Sequence, residues 1–188
     1  MLVAAYDASV RIAVELPSDF ADAGDLLADA RAYEAAGAEA LLVDDDGSGV
    51  SAALLGALAV TCPTARIGPL QLDKTAWPRE RADAIIATLD RLSRGRLVLL
   101  ASVPFSFGER PLDGIVVRVA PSGVKGGGLP PWVRVPFPPS KPEWKEIRAA
   151  YEAAGAAALI LPRDPRLLDL LRNPDVMDDR ADLNIAVG

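Results

Sequence analysis

The 188-residue chain contains no histidine and a single cysteine, Cys62. Without histidine there is no Ser-His-Asp or Cys-His apparatus, no His-ligated metal and no imidazole general base. One cysteine rules out an internal disulfide and any multi-cysteine metal site. No stretch approaches the roughly 20 apolar residues that a bilayer span requires. Met1 to Ser9 lacks a basic region followed by an apolar run, so no secretory signal is expected and a cytoplasmic location is. Basic residues are scattered through a chain of net charge −6. A nucleic-acid or anionic-membrane surface needs a basic stripe, so neither is an expected partner.

What is present reads as one globular domain spanning residues 1–188, with 51% hydrophobic and 24% charged residues. Short apolar runs alternate with amphipathic stretches. Val10–Leu16, Ala40–Val43, Ala65–Leu72, Arg96–Val103, Gly114–Val119, Trp132–Val135, Ala156–Leu161 and Leu183–Val187 are the expected strands. Helices are expected over Asp19–Ala36, capped by Ser18 or Asp19, and over Ser51–Thr61 and Pro78–Ser93. Two more are expected over Pro142–Ala154 and Pro165–Leu171. Gly37, Gly95 and Gly155 stand as helix stops.

Strands alternating with helices predict an α/β fold, a parallel sheet with helical cover. One form is a (β/α)8 TIM-barrel-like fold, trimmed because an eight-strand barrel usually takes about 250 residues. Its missing helices would fall between Val103 and Trp132. The other form is an open doubly wound sheet, but Leu16-Pro-Ser-Asp-Phe20 after the first strand has no glycine for a dinucleotide turn. The trimmed barrel is the preferred expectation.

Three segments carry a resemblance. The first is Ala30-Arg-Ala-Tyr-Glu-Ala-Ala-Gly-Ala-Glu-Ala-Leu-Leu-Val-Asp-Asp-Asp46. The second runs from Ala65-Arg-Ile-Gly-Pro-Leu-Gln-Leu72 through Trp77-Pro78 to Leu89-Asp-Arg-Leu-Ser-Arg-Gly-Arg96, the most specific motif in the chain. The third is Ser140-Lys-Pro-Glu-Trp-Lys-Glu-Ile147 with Tyr151-Glu-Ala-Ala-Gly-Ala-Ala-Ala-Leu-Ile-Leu161. Together they resemble the bacterial luciferase-like monooxygenase superfamily of flavin- and deazaflavin-dependent oxidoreductases. The likeness covers residues 10–100 and 138–172; the stretch between them does not match and is shorter than in family members. The resemblance implies a barrel with FMN or a deazaflavin at its C-terminal mouth, a small-molecule substrate, and a homodimer through the second and third helices.

The same likeness singles out the loop after the second strand, Asp44-Asp-Asp-Gly-Ser-Gly49. Family members carry an Asp-His pair there, and Asp46 falls at the histidine's position. Asp45 and Asp46 are thus the candidate catalytic residues; Ser48, Gln71 and Ser102, at neighbouring strand ends, are the candidate cofactor-binding ones. A carboxylate works as a base only with a raised pKa, which three adjacent acids favour. Their oxygens could instead hold Mg²⁺ or Ca²⁺, or cap the helix that follows.

Other segments read in two ways. Gly123-Val-Lys-Gly-Gly-Gly128 is a phosphate cradle or, with no phosphate-binding spacing, a plain loop. Ser140, in Pro138-Pro-Ser-Lys-Pro-Glu143, is a helix cap or part of a phosphate turn that Pro139 disfavours. Phe105, Phe107 and Trp132 line an apolar pocket or plug the barrel mouth. Trp77 and Trp144 read as packing or surface residues, and Arg94 and Arg96 as helix-dipole or ion-pair partners. Two functions follow as expectations: a luciferase-like oxidoreductase, with activity reduced or lost, or a non-catalytic barrel remnant acting in binding or structure.

Overall fold

The computed structural model describes residues 10–44, 50–70, 79–101, 115–120 and 132–173. Seven strands are seen there: β1 (Arg11–Leu16), β2 (Ala40–Val43), β3 (Arg66–Pro69), β4 (Val98–Ala101), β5 (Ile115–Ala120), β6 (Trp132–Arg134) and β7 (Ala158–Pro162). Five helices are interspersed: α1 (Ala23–Ala35), α2 (Val50–Thr61), α3 (Arg79–Ser93), α4 (Lys141–Ala153) and α5 (Leu167–Arg172). The expected mixed α/β organisation with a parallel sheet is what the chain adopts. The eight-stranded TIM barrel is not displayed, and the candidate eighth strand, Leu183–Val187, lies outside the described residues.

Local signals mostly act where they were expected. Gly37, Gly95 and Gly155 follow α1, α3 and α4 at φ of 95°, 77° and 80°, a left-handed conformation that a Cβ disfavours. Ser140 caps α4, its Oγ accepting from the Glu143 N–H at 3.4 Å. The cap of α1 differs from the expectation. Asp22, rather than Ser18 or Asp19, accepts from the Asp25 N–H at 3.0 Å, so the helix starts at Ala23. A carboxylate three residues before an available N–H wins the cap, and the chain from Pro17 to Ala21 stays irregular.

The strands are ordered β3-β2-β1-β7-β6-β5-β4, and every neighbouring pair is parallel. The two ends of that order meet. Ile67 in β3 and Leu97 beside β4 form a parallel bridge, and the Ile67 N–H donates to the Arg96 carbonyl at 3.1 Å. Gly68 makes the approach feasible, because a Cβ there would lie 1.8 Å from the Val98 carbonyl oxygen.

Side chains alternate across each strand and sort into two buried clusters. One face supplies Val14, Leu16, Leu41, Val43, Ile67, Leu97, Leu99, Leu159 and Leu161, which pack with residues of all five helices, among them Leu26, Leu55, Ile86, Trp144 and Leu167. The other face supplies Ala13, Ala40, Leu42, Leu70, Val98, Leu100, Trp132, Ala158 and Ile160, a cluster that contains no helical residue. Ala13, Ala40, Leu42, Ala158 and Ile160 are nevertheless fully shielded from solvent. No described helix packs on this face, yet its side chains are buried as deeply as those of the first. Each large side chain so buried contributes roughly 1.5–3 kcal/mol.

Polar staples hold the N-terminal side of the sheet. Glu39 Oε1 accepts from Arg11 at 2.9 Å and pairs with Arg66 at 3.1 Å. Glu34 Oε1 accepts from the Thr64 N–H, the Thr64 hydroxyl and the Ala65 N–H at 2.6–2.7 Å. Burial raises the Glu34 carboxyl, but these donors outweigh it and leave its pKa lowered. Arg96 donates to the carbonyls of Ala59 at 2.9 Å and Cys62 at 2.8 Å, and to that of Ala65. The dipole role expected of Arg96 is therefore played at the C-terminus of α2.

Candidate functional site

The helix-free face of the sheet is apolar in its middle and charged at its C-terminal end. Glu15 stands two residues beyond Ala13 on β1, Asp44 two beyond Leu42 after β2, and Arg134 two beyond Trp132 on β6. The period of two therefore lifts three charged side chains out of the same buried cluster at one end. The Asp44 N–H continues the ladder by donating to the Leu16 carbonyl at 3.2 Å, which fixes Asp44 next to the end of β1.

Arg134 forms an ion pair with Glu15 through Oε1. The other carboxylate oxygen, Oε2, is buried and has no hydrogen-bond partner. Burial pushes the Glu15 carboxyl above the ordinary range; Arg134 pulls it back, and the Asp44 charge pushes it up again, with the balance upward. An acid of this kind holds its proton to higher pH than a surface glutamate, the direction in which general acid–base chemistry shifts a carboxyl.

Beside Glu15 opens a cleft of about 750 Å³, within the range of small-molecule sites. It lies at the C-terminal ends of β1 and β7, against α1. Pro17, Pro162, Pro165, Leu168 and Tyr33 give it firm apolar walls, while Glu15, Asp19, Asp29, Asp44 and Arg163 bring charge. Arg163 is committed to α1, its Nε and terminal nitrogen donating to Asp29 Oδ2 at 3.0 and 2.6 Å. The Tyr33 hydroxyl reaches the Asp164 carbonyl at 3.5 Å, tying α1 to the segment after β7. Burial first, then the Asp29 charge, raises the Tyr33 pKa, so this hydroxyl remains a donor.

Asp45, Asp46, Ser48, Gln71 and Ser102 all lie outside the described residues, as do Gly123–Gly128, Phe105, Phe107 and Trp77. The chain enters the first three of these segments directly after Asp44, Leu70 and Ala101, which follow or end β2, β3 and β4. Trp132 is buried in the cluster without helical residues, and Trp144 is wholly buried against the helices. Sequence reasoning missed Glu15 and Arg134. The signal for Glu15 was a carboxylate in phase with Ala13 on an otherwise apolar strand, where burial of a charge calls for a reason. For Arg134 no such signal existed.

Among the described residues no group of His, Cys, Asp and Glu is arranged to hold a metal ion. Nor is any helix there long and apolar enough to cross a membrane. No protein-family model and no curated protein matches the chain. What fold and site define is a class: a parallel α/β chain with a carboxylate-rich cleft at the C-terminal ends of its strands.

Proposed function

We propose that this chain is a shortened (β/α)-barrel of the luciferase-like oxidoreductase type, cytoplasmic, with the cleft at its strand C-termini as reaction chamber. Glu15 is the residue that holds or moves a proton there. The observation that carries this reading is the buried, unpartnered Oε2 of Glu15, on a carboxyl held above its ordinary pKa and facing Asp44. The Ile67–Leu97 bridge and the buried face without described helices support barrel closure, and barrel enzymes place their chemistry at this end. The resemblance also implies pairing of two copies through α2 and α3, on which Val60 and Leu92 stand exposed.

The resemblance implies FMN or a deazaflavin, both of which carry phosphate. The described residues do not fit that phosphate. At the N-terminus of α4 the Ser140 hydroxyl donates to Glu143 Oε1 at 3.3 Å, so a carboxylate already occupies the first turn, and Pro142 brings no N–H. The charged groups lining the cleft are four carboxylates and Arg163, and Arg163 is paired with Asp29. Proton handling at Glu15 is accordingly stated without a cofactor step. The mismatch favours a second reading, a barrel remnant that binds a small molecule without redox chemistry.

Titration of the purified protein with FMN and with a deazaflavin separates the two. Saturable fluorescence quenching, with Glu15→Gln lowering turnover more than affinity, is the outcome expected of the oxidoreductase. A colourless protein that quenches neither cofactor overturns that reading and leaves the binding barrel.

A further inference from the structure

We infer that Arg134 is the positioning residue of Glu15: by holding Oε1 it fixes Oε2 as the oxygen on which the proton sits. The inference deepens the proposed function and rests on Glu15 as its proton-holding group; it requires no particular ligand in the cleft.

Strand register sets up the contact. Arg134 pairs with Ile160 on β7, and Ile160 pairs with Ala13 on β1. Arg134 therefore starts level with Ala13, one side-chain period before Glu15. Two strand spacings, roughly 9–10 Å, separate β6 from β1. A short side chain cannot cross that gap, but the arginine does so past β7 and ends on Glu15 Oε1. The intervening strand, Ala158–Pro162, carries no charged side chain. The Arg163 N–H that follows it donates to the Glu15 main-chain carbonyl at 3.0 Å, while the Arg163 side chain goes to Asp29. Among the described residues, the charges that act on the Glu15 carboxyl are Arg134 on β6 and Asp44 just after β2.

The two oxygens of that carboxyl are unequal. A guanidinium donates and never accepts, so the oxygen it holds stays an acceptor whether or not Glu15 is ionised. Oε2 is buried and has no hydrogen-bond partner, which destabilises a negative charge there and favours a proton. Protonation thus forms an O–H bond at Oε2 and leaves the hydrogen bond from Arg134 to Oε1 in place. A proton on Oε1 would instead set donor against donor. The Arg134 side chain is 49% exposed against 13% for Glu15, so salt screens the arginine's pull while the effect of burial stays.

The test uses the full chain without ligand. It follows Glu15 by carboxyl ¹³C NMR and by the infrared stretch of its protonated carbonyl, assigned by subtracting Glu15→Gln. Arg134→Met keeps an unbranched stem and removes every donor, and Arg134→Lys returns one charge. Position 134 is half exposed, so both variants are expected to fold. Arg134→Met should raise the Glu15 titration by about one pH unit. It should also move the carbonyl stretch to higher frequency, because Oε1 loses its donor. Arg134→Lys should return most of both changes, a rescue that a merely structural role would not produce. Added salt should lift the parent's titration relative to that of Arg134→Met. An unchanged stretch and titration in Arg134→Met, a lysine variant no nearer the parent than the methionine one, or equal salt responses overturns the inference. Failed cofactor quenching removes the oxidoreductase reading and leaves Arg134 in its role; quenching with no effect of position 134 on Glu15 removes the positioning role alone.

Discussion

Gly68→Ala tests the meeting of β3 with β4, the contact that joins the two ends of the strand order. The added Cβ would lie 1.8 Å from the Val98 carbonyl oxygen and 2.9 Å from its carbon. An ordinary carbon–oxygen contact is about 3.3–3.6 Å, so the two backbones must part by roughly 1.5 Å. No side chain can rotate aside, because the obstacle is main chain. A single overpacked methyl in a core costs about 1–3 kcal/mol, and here the upper end applies. Parting the strands also removes the Ile67 N–H to Arg96 carbonyl bond, worth about 1 kcal/mol. The sum, about 3–4 kcal/mol, is a large part of the roughly 5–15 kcal/mol that stabilises a domain. Urea denaturation followed by circular dichroism reads it as a lowered midpoint. Gly56→Ala is the internal control, since its Cβ would meet only Leu92 Cδ1 at 3.9 Å. In the middle of α2 that change should stabilise by up to about 1 kcal/mol through helix propensity. If Gly68→Ala melts within about 0.5 kcal/mol of the parent, the close approach of β3 and β4 is wrong.

Two further outcomes are expected. Arg96→Ala leaves the carbonyls of Ala59, Cys62 and Ala65 without their charged donor. The cost, about 2–3 kcal/mol, should lower Tm by about 4–12 °C in calorimetry, and a change below 1 °C would refute the capping role. Glu15 sets a pH dependence of defined sign. Its folded pKa is raised above the ordinary value of 4.5, so its stabilising contribution is complete below that value and is lost as pH climbs through the folded one. Glu15→Gln, which cannot ionise, should therefore gain stability relative to the parent as pH rises above 4.5. Arg134→Ala should move the Glu15 titration higher still, followed by carboxyl ¹³C NMR; a Glu15 titrating at or below 4.5 would contradict the burial argument.

The sequence by itself determined the local structure. Ala40–Val43 coincides with its predicted strand, and Gly37, Gly95 and Gly155 end helices because a left-handed residue is a local requirement. Periodicity likewise separated strands from helices and so predicted a parallel α/β fold. Some boundaries moved, as where α5 starts at Leu167 rather than Pro165, and the α1 cap slipped because three aspartates and a serine within Ser18–Asp25 compete for the same N–H groups.

The tertiary structure decided the site. Glu15 and Arg134 are 119 residues apart, and Tyr33 and Asp164 are 131 apart; no periodicity within a strand links such pairs. The order β3-β2-β1-β7-β6-β5-β4 leaves only β7 between β1 and β6, and that places an arginine against one oxygen of a buried glutamate while the other stays bare. In a chain without histidine, the aspartates after β2 are the proton-handling candidates that the sequence offers. The fold adds a second candidate at the end of β1, because burial raises a carboxyl's pKa, and burial is a property of the assembled chain.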